Sequence, residues 1–252
     1  MDSFDERRLA VLDEEWFFRH IESESNSHDR RSWLALQRAI RPGGYAYLEI
    51  GSHLGGSMQQ HVIDPLCERI YSIDPRPHVV PDDRGFEFEY EGNSTARMMS
   101  NLTALTPLAK SKIVTFDSDA RDVPMETLEP KPSLCFIDGQ HTKDAVVSDF
   151  ASCLRAVSDG GTICFHDVNV IWPALFQVEF MLQATGTAHT LRKLPGTMFA
   201  VMLDGCTAMS DPYIHDYGVD GLWWLVKQRV KHSRLRRTSQ VGWRVVRRLT
   251  SG

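Results

Sequence analysis

Apolar residues recur along this chain at two different periods. Between Asp5 and Ile21, and again between His28 and Ile40, they return every three or four positions, which predicts two amphipathic helices. Arg41-Pro42-Gly43-Gly44 then supplies helix-stop and turn residues. Beyond it the pattern changes to short, nearly continuous apolar runs: YAYLEIG (45–51), RIYSID (69–74), KIVTFDS (112–118), SLCFIDG (133–139) and GTICFHD (161–167). Each is separated from the next by a segment that can hold a helix. Runs that are apolar on both faces and spaced by helices predict a parallel sheet covered on both sides. In HTLRKLPGTMFAVMLD (189–204) two strand-like runs flank Pro195-Gly196 with no helix between them, which appends an antiparallel hairpin. The expected fold is α/β, a doubly wound, mostly parallel, Rossmann-like sheet with a C-terminal antiparallel hairpin. Its expected organisation is a helical cap over 1–42, a central α/β domain over 43–205 and a basic, Trp-containing extension over 206–252.

Composition narrows the class of protein. Hydrophobic residues make up 42% of the 252, no run reaches the roughly 18 apolar residues of a membrane span, and the first 20 residues are too charged for a secretory signal. Five cysteines without a C-x-x-C pair, several inside apolar runs, predict a reduced, cytoplasmic protein without structural zinc. The net charge of −5 hides an asymmetry. From Gly221 onward there are nine Lys or Arg and no acid, so the body up to residue 220 carries 19 basic and 33 acidic side chains, a net of −14. Such a body argues against nucleic acid as the main partner.

Ligands of an open parallel sheet bind outside the carboxyl ends of its strands, so the run ends carry the chemistry. The first run ends Glu49-Ile50-Gly51-Ser52-His53-Leu54-Gly55-Gly56-Ser57. His53 stands where a dinucleotide fingerprint places its second glycine, which counts against a nicotinamide cofactor and leaves a tight turn with no diphosphate to cradle. The second run ends at Asp74, where an acid accepts the hydroxyls of a ribose. A ribose without a pyrophosphate points to an adenosine sulfonium.

YLEIGSHLGGS followed by IYSIDP resembles motif I and the acidic second-strand end of class I S-adenosylmethionine-dependent methyltransferases. FIDGQH with GGTICFHDV is similar, more narrowly, to the macrocin and mycinamicin sugar O-methyltransferases and the cephalosporin-hydroxylase-like group. The resemblance runs from about Tyr45 to Leu203. It implies that Glu49, Gly51 and Ser52 line the methionine part of the cofactor, that Asp74 holds the ribose and that Asp119-Ala120 lies beside the adenine, with Asp117 competing for that last role. It implies a magnesium site at Asp138 and at His166-Asp167. His166 departs from the carboxylate of close relatives and suits manganese better than magnesium, unless it supports the site from behind or packs in the core; Asn169 offers a replacement oxygen.

The acceptor chemistry follows from the same residues. A sugar hydroxyl attacks well only as its proton leaves, which calls for a base, a Lewis acid or both. Asp138 and Asp167 provide two oxygen ligands, and His141, at the start of the next helix, is the candidate base; a turn and a helix cap are the plain alternative for Asp138 and His141. The function that the resemblance implies is metal-assisted methylation of a hydroxyl on a glycoside or oligosaccharide. A catechol-type or hydroxylase-like relative and a non-catalytic nucleoside-binding protein are the alternatives. Trp172 is placed at the pocket rim, to stack on a sugar or to brace a helix start. The segment 75–93, the N-terminal helices and Tyr213–Tyr217 are candidates to close over the acceptor. The basic extension either packs on the acidic body, of the same chain or of a partner subunit in a homodimer, or lies on an anionic membrane surface.

Overall fold

The computed structural model of the chain describes residues 4–76 and 92–233. The expected alternation is present. After helices α1 (Glu6–Ala10), α2 (Glu14–Phe17) and α3 (Ser27–Ile40) come β1 (Tyr45–Ile50), α4 (Gln59–Ile63), β2 (Cys67–Ile73), α5 (Thr95–Leu105), α6 (Ala109–Lys112) and β3 (Ile113–Phe116). Then follow β4 (Leu134–Ile137), α7 (Lys143–Ala156), β5 (Thr162–Phe165), α8 (Val168–Ala184), β6 (His189–Lys193) and β7 (Phe199–Leu203). The described chain closes with α9 (Pro212–Tyr217), β8 (Val219–Asp220) and α10 (Gly221–His232). One sheet holds the strands in the order β3-β2-β1-β4-β5-β7-β6-β8, with β1 to β5 parallel and the last three antiparallel.

Two elements depart from the sequence expectation. The segment 5–21 is two short helices, because Leu12 takes a left-handed φ of 53° and Asp13 then caps a new helix by accepting from the Trp16 amide. The short strand β8 extends the hairpin edge, where Asp220 pairs with Arg192.

Alternate residues of β1 feed opposite sides of the sheet. Tyr45 and Tyr47 join Trp33, Leu34, Leu36, Met58 and Phe136 on one side. Ala46, Leu48 and Ile50 join Phe150, Phe165, Leu175 and Val178 on the other. Burying both faces is what allows the strands to be apolar throughout. The N-terminal helices share the first of these cores. Trp33 of α3 lies against Phe136 at 3.6 Å between ring centroids and donates to His61 Nε2 at 3.1 Å. At the amino end of the sheet the buried Asp64 carboxylate accepts from Arg41, Gln37 and the Tyr45 hydroxyl, which locks α3 to the start of β2. The five cysteines are free thiols, and among the described residues no helix is long and apolar enough to cross a membrane.

Candidate active site

Register decides which side chains meet. Ile50 pairs with Ile73 on one side and Ile137 on the other, and Ile137 pairs with Phe165. One step further on, the Gly51 amide donates to Ile73, Asp138 to Ile50, His166 to Ile137 and Asp74 to Phe116. Gly51, Asp74, Asp138 and His166 therefore stand in a row across the carboxyl edge, where ligands of such sheets bind.

The glycine turn after β1 is tightly enclosed. Gly51 has φ +88°, and a Cβ there would lie 2.2 Å from the Asp138 carbonyl oxygen, so neither conformation nor space admits a side chain. Gly56 faces the Glu22 carbonyl equally closely, which brings the segment before α3 over the turn. Glu49 is buried and accepts from the hydroxyls of Tyr47 (3.0 Å) and Ser57. Burial pushes its carboxyl up to about 8 against those two hydrogen bonds. The Ser52 hydroxyl meets that of Ser72 at 2.6 Å. Asp74 accepts from the His53 amide at 2.8 Å, and burial raises its pKa. Asp119 lies further out, in a bidentate pair with Arg121, at the cap of a 3-10 turn that begins with the buried Ala120. Asp117, the competitor for its role, is instead drawn to Arg76 and Thr95.

Asp138, His141 and Asp167 converge, each offering one ligand atom within 4.8 Å of the others. His141 Nε2 lies 3.4 Å from Asp167 Oδ2 and 3.7 Å from Asp138 Oδ1. Asp167 reaches this position through a left-handed φ of 50° between β5 and α8, a conformation that few residues other than glycine adopt. His166 falls outside the trio. Its Nδ1 faces Asp138 Oδ1 at 3.2 Å and its Nε2 faces Asp29 Oδ2 at 3.3 Å, so both nitrogens are turned to carboxylates. Burial alone would lower its pKa, but Asp138, Asp29 and Asp167 push it up to about 11, in favour of the imidazolium. Desolvation opposes the charge on Asp138, and the imidazoles of His166 and His141 outweigh it, holding that carboxyl well below the ordinary range. Asn169 is exposed in the first turn of α8. The two carboxylates suit a divalent cation of hard or borderline character, magnesium or manganese among them, and leave the His141 imidazole beside it.

Two residues of the site carried no signal of their own in the sequence. Asp29 reads there as the N3 acid of a capping box with Asn26, which it forms. Its carboxylate also accepts from the Thr197 amide (2.5 Å) and hydroxyl (3.1 Å) while facing His166, so one side chain ties α3, the β6–β7 turn and the end of β5 together. Arg76, two residues after Asp74, is buried and donates to Ser52 Oγ (2.7 Å), the His53 carbonyl (3.1 Å), Asn93 (3.3 Å) and Thr95 (3.2 Å). The dipeptide after an acidic strand end was its only hint. Trp172 sits in α8 stacked on His232 at 5.3 Å, where it braces a helix junction. Tyr213 and Tyr217 pack on each other at 5.0 Å. Most of the segment 75–93 lies outside the described residues.

Comparison with known proteins agrees with this fold. Residues 48–168, from within β1 to the start of α8, match the family model of a methyltransferase domain. No curated protein matches the chain. Among solved structures, the O-methyltransferase NovP is 14% identical, with a TM-score of 0.53 over 75% of this chain and 88% of that one. The calicheamicin methyltransferase CalS11 is 15% identical, with a TM-score of 0.50 over 80% and 94%. Cofactor-bound Rv0187 from MTB is 16% identical, with a TM-score of 0.50 over 79% and 88%. The fold is thus the Rossmann-like α/β fold of methyltransferases. Its glycine turn and acidic strand ends fall within the matched methyltransferase domain.

Proposed function

We propose that this chain is an S-adenosylmethionine-dependent O-methyltransferase acting on a hydroxyl of a sugar, in a glycoside or an oligosaccharide. The observation that carries the reading is the convergence of Asp138, His141 and Asp167 at the edge that also holds the glycine turn. A thiol or an amine accepts a methyl group with little more than positioning, whereas an alcohol must lose its proton as it attacks. In the proposed reaction the acceptor oxygen forms a bond to the methyl carbon as the bond from carbon to the sulfonium sulfur breaks. The hydroxyl proton passes to His141 Nε2, and S-adenosylhomocysteine leaves. Asp138 and Asp167, 3.7 and 3.4 Å from that nitrogen, stabilise the imidazolium that forms.

Asp138 and Asp167 are also the residues that would hold a divalent cation, which supplies Lewis acidity toward the acceptor hydroxyl. His166, fixed between Asp138 and Asp29, orients the Asp138 carboxylate. Glu49, Gly51, Ser52, Asp74, Asp119 and Ala120 are assigned to the cofactor, in the roles implied by the resemblance. Sugar as the acceptor class rests on the likeness of FIDGQH and GGTICFHDV to sugar O-methyltransferases. A catechol presents the same pair of vicinal oxygens and is the second acceptor class to test.

The deciding experiment is a methyl-transfer assay with labelled S-adenosylmethionine against a panel of glycosides, oligosaccharides and catechols, with Mg²⁺, with Mn²⁺ and in excess EDTA. Transfer to a sugar that collapses in EDTA and returns with either ion is the expected result. Full activity in EDTA would remove the metal, and oxygen- and reductant-dependent turnover in place of transfer would replace the reading by a hydroxylase-like one.

A further inference from the structure

α10 is amphipathic twice over. Its inner side is settled: Leu225 is fully buried, Trp224 packs on Phe199, Arg229 lies over the ring of Phe176 and His232 stacks on Trp172. The opposite side carries Leu222, Trp223, Val226 and Val230, at 43%, 57%, 39% and 60% exposure. At about 100° per residue these four occupy an arc of about 100° on the helix. Arg229 borders the arc on one side, and Lys227 then Lys231 border it on the other, all three exposed. Lys227 lies over the Trp223 ring at 4.9 Å. On the adjoining α8, Phe180, one turn beyond Phe176, is 70% exposed and adds a fifth apolar side chain.

Charge selects among the occupants of this face. Residues 234–252 carry six arginines and no acid, so laying them over the arc would set cations against Lys227, Arg229 and Lys231. A two-fold contact between copies would place each rim against itself, with the same repulsion. What fits is an external surface that is anionic at its boundary and apolar just beneath. The following sequence, SRLRRTSQVGWRVVRRL, repeats the mixture of aliphatic residues, Trp and arginine without one acid. An apolar stripe with tryptophan between lysine and arginine rims is the composition of helices that lie in a bilayer interface, where long basic side chains reach the headgroups.

We infer that the outer face of α10 docks the protein, peripherally, on an anionic lipid bilayer. The inference is independent of the proposed reaction. Docking by one short helix is weak and reversible, and depends on lipid charge and salt.

The test is co-sedimentation of the full chain with vesicles of phosphatidylcholine alone and with vesicles containing 30% phosphatidylglycerol. Its partners are Trp223→Glu/Val226→Glu, which alters only exposed positions, and Lys227→Gln/Lys231→Gln. Binding to the anionic vesicles only, weakened about tenfold or more by the first variant and severalfold by the second or by 0.5 M salt, is expected. Circular dichroism and the melting temperature verify that both variants keep the fold. Equal pelleting of wild type and Trp223→Glu/Val226→Glu would overturn the assignment to this face. So would absence of vesicle binding, whether the protein is a monomer or a dimer that the first variant dissociates, the latter naming a second copy as the occupant.

Discussion

Asp149 is a buried acid on α7 whose carboxylate lies against Gly139, with Asp119 nearby. Burial first, and Asp119 second, push it up to about 7, and Glu49 behaves in the same sense, reaching about 8. A carboxyl whose folded pKa is raised stabilises the fold fully below the ordinary carboxylate range, and that contribution is lost as pH rises through the folded value. Stability should therefore fall between about pH 4 and pH 8 on account of these two groups. Asp149→Asn should melt roughly 3–6 °C above wild type at pH 8.5 and close to it at pH 4. A gap of the same size at both pH values would exclude titration as its cause. In the cluster itself, Asp138→Ala and His141→Ala should each lower turnover by about two orders of magnitude while cofactor affinity changes little. Metal titration separates the two roles, because a base can be removed without loss of metal affinity and a ligand cannot. Loss of cofactor binding in both variants would mean that the residues serve the cofactor instead.

α3 joins stability to chemistry. Its inner face presents Trp33 to Phe136 and His61, so Trp33→Ala should cost about 3–5 kcal/mol, read from the urea midpoint with the slope unchanged. Its first turn presents Asp29 to His166 and Thr197. Asp29→Ala leaves a buried imidazolium without one of its carboxylates and removes half of a capping box, so it should destabilise by about 3 kcal/mol or more. Asp29→Asn retains a hydrogen-bonding group there and should be milder in stability, yet it removes the charge facing His166. The His166 imidazole should then titrate at lower pH, a shift that histidine NMR reads directly and that a purely structural role for Asp29 would not produce.

For the molecule as a whole, the residues proposed for cofactor and acceptor lie along the carboxyl edge of one sheet. Calorimetric titration with S-adenosylhomocysteine and with NAD, each with and without Mg²⁺, should show binding of the first alone. Binding of NAD would return the His53 turn to the dinucleotide class, and binding of neither would leave the glycine turn without its assigned ligand. Ligand that binds the folded state should also raise the melting temperature in proportion to the logarithm of its concentration.

How much of this was legible depends on how far apart the cooperating residues lie in sequence. The five parallel strands, the closing hairpin and the acids at the strand ends follow from local patterns, because a strand buried on both faces must be apolar and a ligand edge must end in polar residues. His141 was legible too, since it stands three residues from Asp138 at the start of a helix. The break at Leu12 was not, because a left-handed leucine follows from packing and not from period. Nor was Asp29, 109 residues before Asp138, nor the enclosure of Arg76 by Ser52, Asn93 and Thr95. The sequence by itself determined the class of fold, the glycine turn and the acids at the strand ends. Only the tertiary structure decided that His166 lies between two carboxylates, that Trp224 is turned inward while Trp223 faces out, and which three groups meet. The physical reason is that periodicity and turn chemistry act over a few residues, whereas a site is made where register and helix packing bring distant segments together.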